Sequence, residues 1–134
     1  SSDPGVLELV VQSTTEEVME YLASPYQNPD NPMDFAYAEM RFEDACAAAA
    51  KLMQQGRIIF CPIAHSHPIS WFISPQNRTS HAFWLRQDFD VLTHCNNLVV
   101  LKLHQWERSV GVNAEIQFAI ENLIQIEYLD PGDL

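Results

Sequence analysis

The chain has 134 residues, 47% of them hydrophobic, and sets 7 basic side chains against 18 acidic ones. That length buries one sizeable core and points to a single domain. A net charge of -11 argues against DNA or RNA polymers and against an anionic membrane surface, since both need Lys and Arg to neutralise phosphate.

Residues 1–16 read as an N-terminal extension, with Ser1 to Gly5 as a tail and Leu7 to Gln12 as a possible strand that nothing local fixes. Val18 to Ala23 reads as a strand ended by Ser24-Pro25. The stretch Pro25 to Pro32 is loop, because three prolines with Asn and Asp exclude regular structure. A long helix is expected from about Asp34 to Gln55. Its apolar stripe runs Phe35, Ala38, Phe42, Ala45, Ala49 and Leu52, and Gly56 supplies a left-handed cap. Arg57 to Cys61 looks like a short buried strand stopped by Pro62. Ile63 to Arg78 has little periodicity and reads as a long loop, which in a compact domain is usually functional or mobile.

Thr79 or Ser80 can cap a second long helix reaching about Cys95. Asn97 to Leu103 is the strongest strand in the chain. Ser109 can cap a third helix to about Glu121, and Leu123 to Leu129 is the last strand. This alternation predicts an α/β three-layer sandwich with a mainly parallel sheet of about five strands. No repeat, low-complexity segment or linker divides it.

No apolar run approaches the roughly 18 residues that span a bilayer, and no signal-peptide pattern opens the chain. Cys46, Cys61 and Cys95 are odd in number and widely spaced, so they read as reduced core thiols. The expectation is a soluble cytoplasmic protein. An acidic protein still binds small anions or sugars, so small-molecule enzymes and binding modules remain open.

Two carboxylates sit on the wrong helical faces. Asp88 falls in the stripe Trp84, Leu85, Val91, Leu92 and Cys95, whereas Asp90 points the opposite way. An acid on a core-facing stripe costs desolvation energy unless it is paired or lines a cavity. It either caps or pairs, with Arg41 or Arg86 as partner, or it serves a site. Glu115 lies about 200° around its helix from Gln117, away from the polar face of Asn113, Gln117 and Glu121. The Ser109-Val110-Gly111 entry lets backbone approach a ligand, and the helix dipole there is expected to hold Glu115 ionised, as suits a nucleophile. The alternative is a carboxylate pairing with first-turn N–H groups.

His65 and His67 are two apart, but no third ligand has convincing spacing, and the zinc deaminase signature is absent. They read as pocket or loop-packing residues, with no metal. Trp71 and Phe72 could stack on a base, with core packing expected of at least one. Arg41 is expected to pair with Asp44 or Asp88.

Three segments carry a resemblance: Tyr21-Leu-Ala-Ser-Pro-Tyr26, Phe60-Cys-Pro-Ile-Ala-His-Ser-His-Pro68 and Gly111-Val-Asn-Ala-Glu-Ile116. Together, over about Val18 to Pro131, they resemble the nucleoside 2-deoxyribosyltransferase superfamily. The likeness is greatest to a branch of small bacterial and phage proteins. The superfamily also includes the 2'-deoxynucleoside 5'-monophosphate N-glycosidases. The resemblance implies a flavodoxin-like (Rossmann-like) fold over 17–131 and cleavage of an N-glycosidic bond, by hydrolysis or base transfer. It places the nucleophile on Glu115, a second acid on Asp88, a Tyr at the end of the first strand on Tyr21, and a sugar- or phosphate-contacting Ser on Ser109. Where phosphate-binding members carry a Ser and an Arg, this chain has Ser24-Pro25-Tyr26-Gln27. That departs from the phosphate-binding pattern, and the expected substrate-binding set is Ser24, Tyr26, His65, His67, Trp84, Ser109 and Gly111. The resemblance implies no cofactor, a nucleoside or nucleotide as partner, and a homo-oligomer. In the chemistry, an ionised carboxylate beneath C1' stabilises an oxocarbenium-like sugar, and an acid kept protonated by an apolar wall serves the leaving base. The rival reading is a catalytically silent nucleotide-binding or sensing module on the same fold.

Overall fold

A computed structural model of the chain describes residues 18–134. The possible strand Leu7 to Gln12 and the whole 1–16 extension lie outside the described residues. The elements are β1 (Met19–Ala23), α1 (Phe35–Gln54), β2 (Ile58–Phe60), α2 (Pro62–Ser70), α3 (Pro75–Arg78), α4 (His81–Leu92), β3 (Asn97–Leu101), α5 (Val110–Glu121) and β4 (Gln125–Leu129). Short 3-10 turns add Trp106–Arg108 and Pro131–Asp133.

Four parallel strands form one sheet in the order β2-β1-β3-β4. Successive side chains point to opposite faces, and both faces are covered. Tyr21, Ala23, Leu98 and Val100 pack against Leu92 of α4 and against Val112 and Ala119 of α5. Leu22, Val99 and Leu101 pack against Ala45, Ala48, Ala49 and Leu52 of α1. The small alanines let α1 lie close on the sheet. The result is an α/β three-layer sandwich with a flavodoxin-like strand order.

The helix ends follow local chemistry. The carboxylate of Asp34 accepts from the Tyr37 N–H at 3.0 Å and starts α1, and Gly56 ends it at φ +91°. Ser80 accepts from the Phe83 N–H to start α4, and Ser109 accepts from the Val112 N–H to start α5, each at 3.2 Å.

Two sequence expectations are corrected. The long loop over Ile63 to Arg78 is instead two helices, α2 and α3. Pro62 and Pro75 stand in the first turns, where a missing N–H costs nothing, and Pro68 sits near the end of α2. The prolines mark helix starts as much as breaks. β2 is not buried: it is three residues at the sheet edge, and Ile58 is 52% exposed.

Candidate active site

β1 and β3 are adjacent at the centre of the sheet, yet their chains leave toward opposite faces, β1 to α1 and β3 to α5. A crevice opens at such a switch point, beyond the carboxyl ends of the strands. Ser24 and Tyr26 enter it from the segment after β1, and Ser109 and Gly111 from the start of α5. Trp84, Leu85 and Asp88 of α4 form one wall, and Pro62, Ile63 and His67 of α2 form another.

Glu115 lies at the bottom, 5% exposed, one turn beyond the residues that open α5. The Tyr21 hydroxyl donates a short hydrogen bond to its Oε2. Tyr21 reaches it because odd positions of β1 face α4 and α5. Burial, together with the neighbouring Asp88, pushes the Glu115 carboxyl up to about 8, although the Tyr21 bond pulls it down. This is the reverse of the ionised state expected from the helix dipole. The dipole acts over the first turn, where the Val112 N–H is already taken by Ser109, and Glu115 lies beyond it. Burial wins. Asp88 is raised to about 6 by burial alone, as expected of an acid against an apolar wall. Tyr21 is held well above the usual phenol range by burial and by both carboxyls, so it remains a donor.

Ser24 is buried, and its hydroxyl lacks a hydrogen-bond partner. A polar ligand atom in the crevice would satisfy it. The indole N–H of Trp84 is anchored on the Arg78 carbonyl at 2.8 Å, which leaves the ring as wall. His67 lines the crevice, whereas His65 is on the exposed side of α2 and does not. Among the described residues, no three of His, Cys, Asp and Glu converge as metal ligands would.

A family described as a domain of unknown function, DUF1937, matches residues 18–127. The chain belongs to that family. No curated protein matches it. In this DUF1937 domain the matched span contains every crevice residue named above.

Other expectations divide. Trp71 and Phe72 are 60% and 88% exposed, and neither lines the crevice or is buried in the core, although Trp71 stands edge-on to His67. Arg41 does reach Asp44, at 3.5 Å, but its shortest bond is to the His104 carbonyl at 2.6 Å, which ties α1 to the segment leading into α5. The three cysteines are free thiols. Arg78, Ser70 and Arg108 also line the crevice and were not foreseen. Arg108 directly precedes the Ser109 cap, and that adjacency could have flagged it. Ser70 and Arg78 belong to α2 and α3 respectively, which carry no readable period.

Proposed function

We propose that the crevice cleaves the N-glycosidic bond of a nucleoside or nucleotide through a glycosyl–Glu115 ester. The supporting observation is a buried Glu115 and a half-buried Asp88 in one crevice at the switch point, with Glu115 oriented by Tyr21. Tyr21 occupies Oε2, leaving Oε1 to attack C1'. The bond from C1' to the base nitrogen breaks, its electron pair goes to the base, and Asp88 delivers a proton there. Water then attacks the ester, giving hydrolysis, or a second base does, giving transfer. Asp88 takes up the proton in either case.

The proton count suits this chemistry. The pair titrates near about 6 and about 8, so close to neutral pH it carries one proton and one negative charge. Positive charge developing at C1' draws the negative charge to Glu115 and leaves the proton with Asp88. The free enzyme should therefore show a bell-shaped kcat/KM, with limbs near about 6 and about 8. Asp88→Asn should remove the alkaline limb, leave the acid limb set by Glu115, and slow most the substrates whose bases leave poorly.

Incubating the protein with a panel of nucleosides and nucleotides, and following free base by chromatography, tests the reading. Release or exchange of base by wild type, lost in Glu115→Gln, supports it. Binding without turnover across the panel overturns it in favour of a silent nucleotide-binding module.

A further inference from the structure

Opposite the carboxyl pair, a second polar chain runs into the crevice. Its members are Tyr26, His67 and Glu39. The Tyr26 hydroxyl lies 2.6 Å from His67 Nδ1, and His67 Nε2 lies 3.0 Å from Glu39 Oε1. His67 is 6% exposed, with its ring stacked on Phe42 at 4.3 Å and edge-on to Trp71 at 5.8 Å. The ring is thus held in one orientation with both nitrogens engaged. Tyr26 and His67 line the crevice, whereas Glu39 sits outside it on α1.

The direction of each bond follows from the chain's outer end. An ionised carboxylate only accepts, so Glu39 requires the imidazole proton on Nε2. In the neutral ring Nδ1 is then an acceptor, and the Tyr26 O–H must point at it. The Ser70 hydroxyl is a neighbour of the Tyr26 oxygen, but its own hydrogen goes to the His67 carbonyl at 2.6 Å, and His67 Nδ1 remains the Tyr26 partner within hydrogen-bond distance. Burial raises the Tyr26 phenol, which keeps its proton in place. What remains for a ligand is the lone pairs of the Tyr26 oxygen.

We propose that Tyr26 is locked as a hydrogen-bond acceptor by His67 and Glu39, and that it selects ligands presenting an N–H or O–H to the crevice. This rests on the nucleoside reading and deepens it to a substrate preference. The donor is either an exocyclic amine of the base or a hydroxyl of the sugar. A ligand with a carbonyl oxygen at that point meets lone pairs with lone pairs and loses affinity. Glu39 and His67 act as positioning residues, and Tyr26 makes the contact.

The test uses the full chain carrying Glu115→Gln, so that ligands are not consumed. Affinities are measured by calorimetry at about pH 8.5, above the usual imidazole value of about 6.5. The probes are adenosine against inosine, cytidine against uridine, and each against its 2'- and 3'-deoxy form. The donor-bearing member of one series should bind about tenfold tighter, and the series that responds identifies amine or hydroxyl as the source. Adding Tyr26→Phe should erase the preference. Adding Glu39→Lys puts a donor beside Nε2, which moves the ring proton to Nδ1 and frees the Tyr26 O–H, so the preference should invert. Glu39 is half-exposed, so this change leaves the core untouched. Equal affinities across every pair, or a preference that survives Tyr26→Phe, overturns the inference and leaves the nucleoside reading standing. An unchanged preference in Glu39→Lys also overturns it. If neither these nucleosides nor their 5'-monophosphates bind, the nucleoside or nucleotide reading fails and this inference falls with it.

Discussion

The two ends of the sheet both bury carboxylates, and they treat them in opposite ways. At the amino-terminal end, Glu20 of β1 is 7% exposed and would be misplaced in a central strand without a partner. Arg57 supplies one, donating from Nε to Oε2 at 2.9 Å and from Nη2 to Oε1 at 2.6 Å. The same Nη2 reaches Glu127 of β4 at 2.7 Å, and Asn97 of β3 donates to Glu20 at 2.8 Å. This bidentate network spans the strands and draws the Glu20 carboxyl below its ordinary value. At the carboxyl-terminal end, a buried Glu115 lies near the half-buried Asp88, with one phenol and no cation bonded to Glu115. Both are pushed up. A buried acid with its cation is held ionised, whereas an acid beside another acid, with no cation, is pushed toward its neutral form.

The largest contrast should appear in activity. Glu115→Gln should lower turnover on the proposed nucleoside substrates by about 10³-fold or more while the domain stays folded. Turnover above a tenth of wild type would remove Glu115 from the nucleophile role. Next in size, Arg57→Ala strands the Glu20 charge, and chemical denaturation should show a loss of about 3 kcal/mol. Adding Glu20→Gln should recover much of it, because the charge is then gone. The pH dependence of stability should separate the ends by sign. Glu20, with a lowered folded value, adds stability that is present above about 4.5 and lost as pH falls through that folded value. Glu115, raised to about 8, binds its proton more tightly when folded. Its contribution is full below about 4.5 and fades as pH rises toward about 8. Denaturation midpoints should therefore fall across that upper window in wild type, and the decline should weaken in Glu115→Gln. The smallest effect is expected for Glu127→Gln. Its side chain is 38% exposed, so the loss should stay below about 1 kcal/mol.

Much of this architecture was legible locally. The caps at Ser109 and Gly56 appear where the sequence implies them, Ser80 rather than Thr79 caps α4, and Asp34, the expected start of α1, caps it; each depends on groups within a few residues. Helical phase turned Asp88 and Glu115 inward while Asp90, Gln117 and Glu121 stayed outside. The α2–α3 segment was not legible, because a proline reads alike as a helix breaker and as a helix start. His65 and His67 illustrate the cost: they are two apart in sequence, yet a helix sends one to solvent and the other into the crevice.

By itself, then, the sequence determined the four strands, the three long helices and where they begin, and which two acids face the interior. These are short-range consequences of period and capping. Tertiary structure alone decided the rest. It put β2 at the edge, paired Glu20 with Arg57 across 37 positions, joined Tyr26 to His67 across 41, and brought Tyr21 onto Glu115 across 94. It also reversed the direction expected for Glu115. A carboxyl's charge depends on every group around it, and the fold chooses those neighbours.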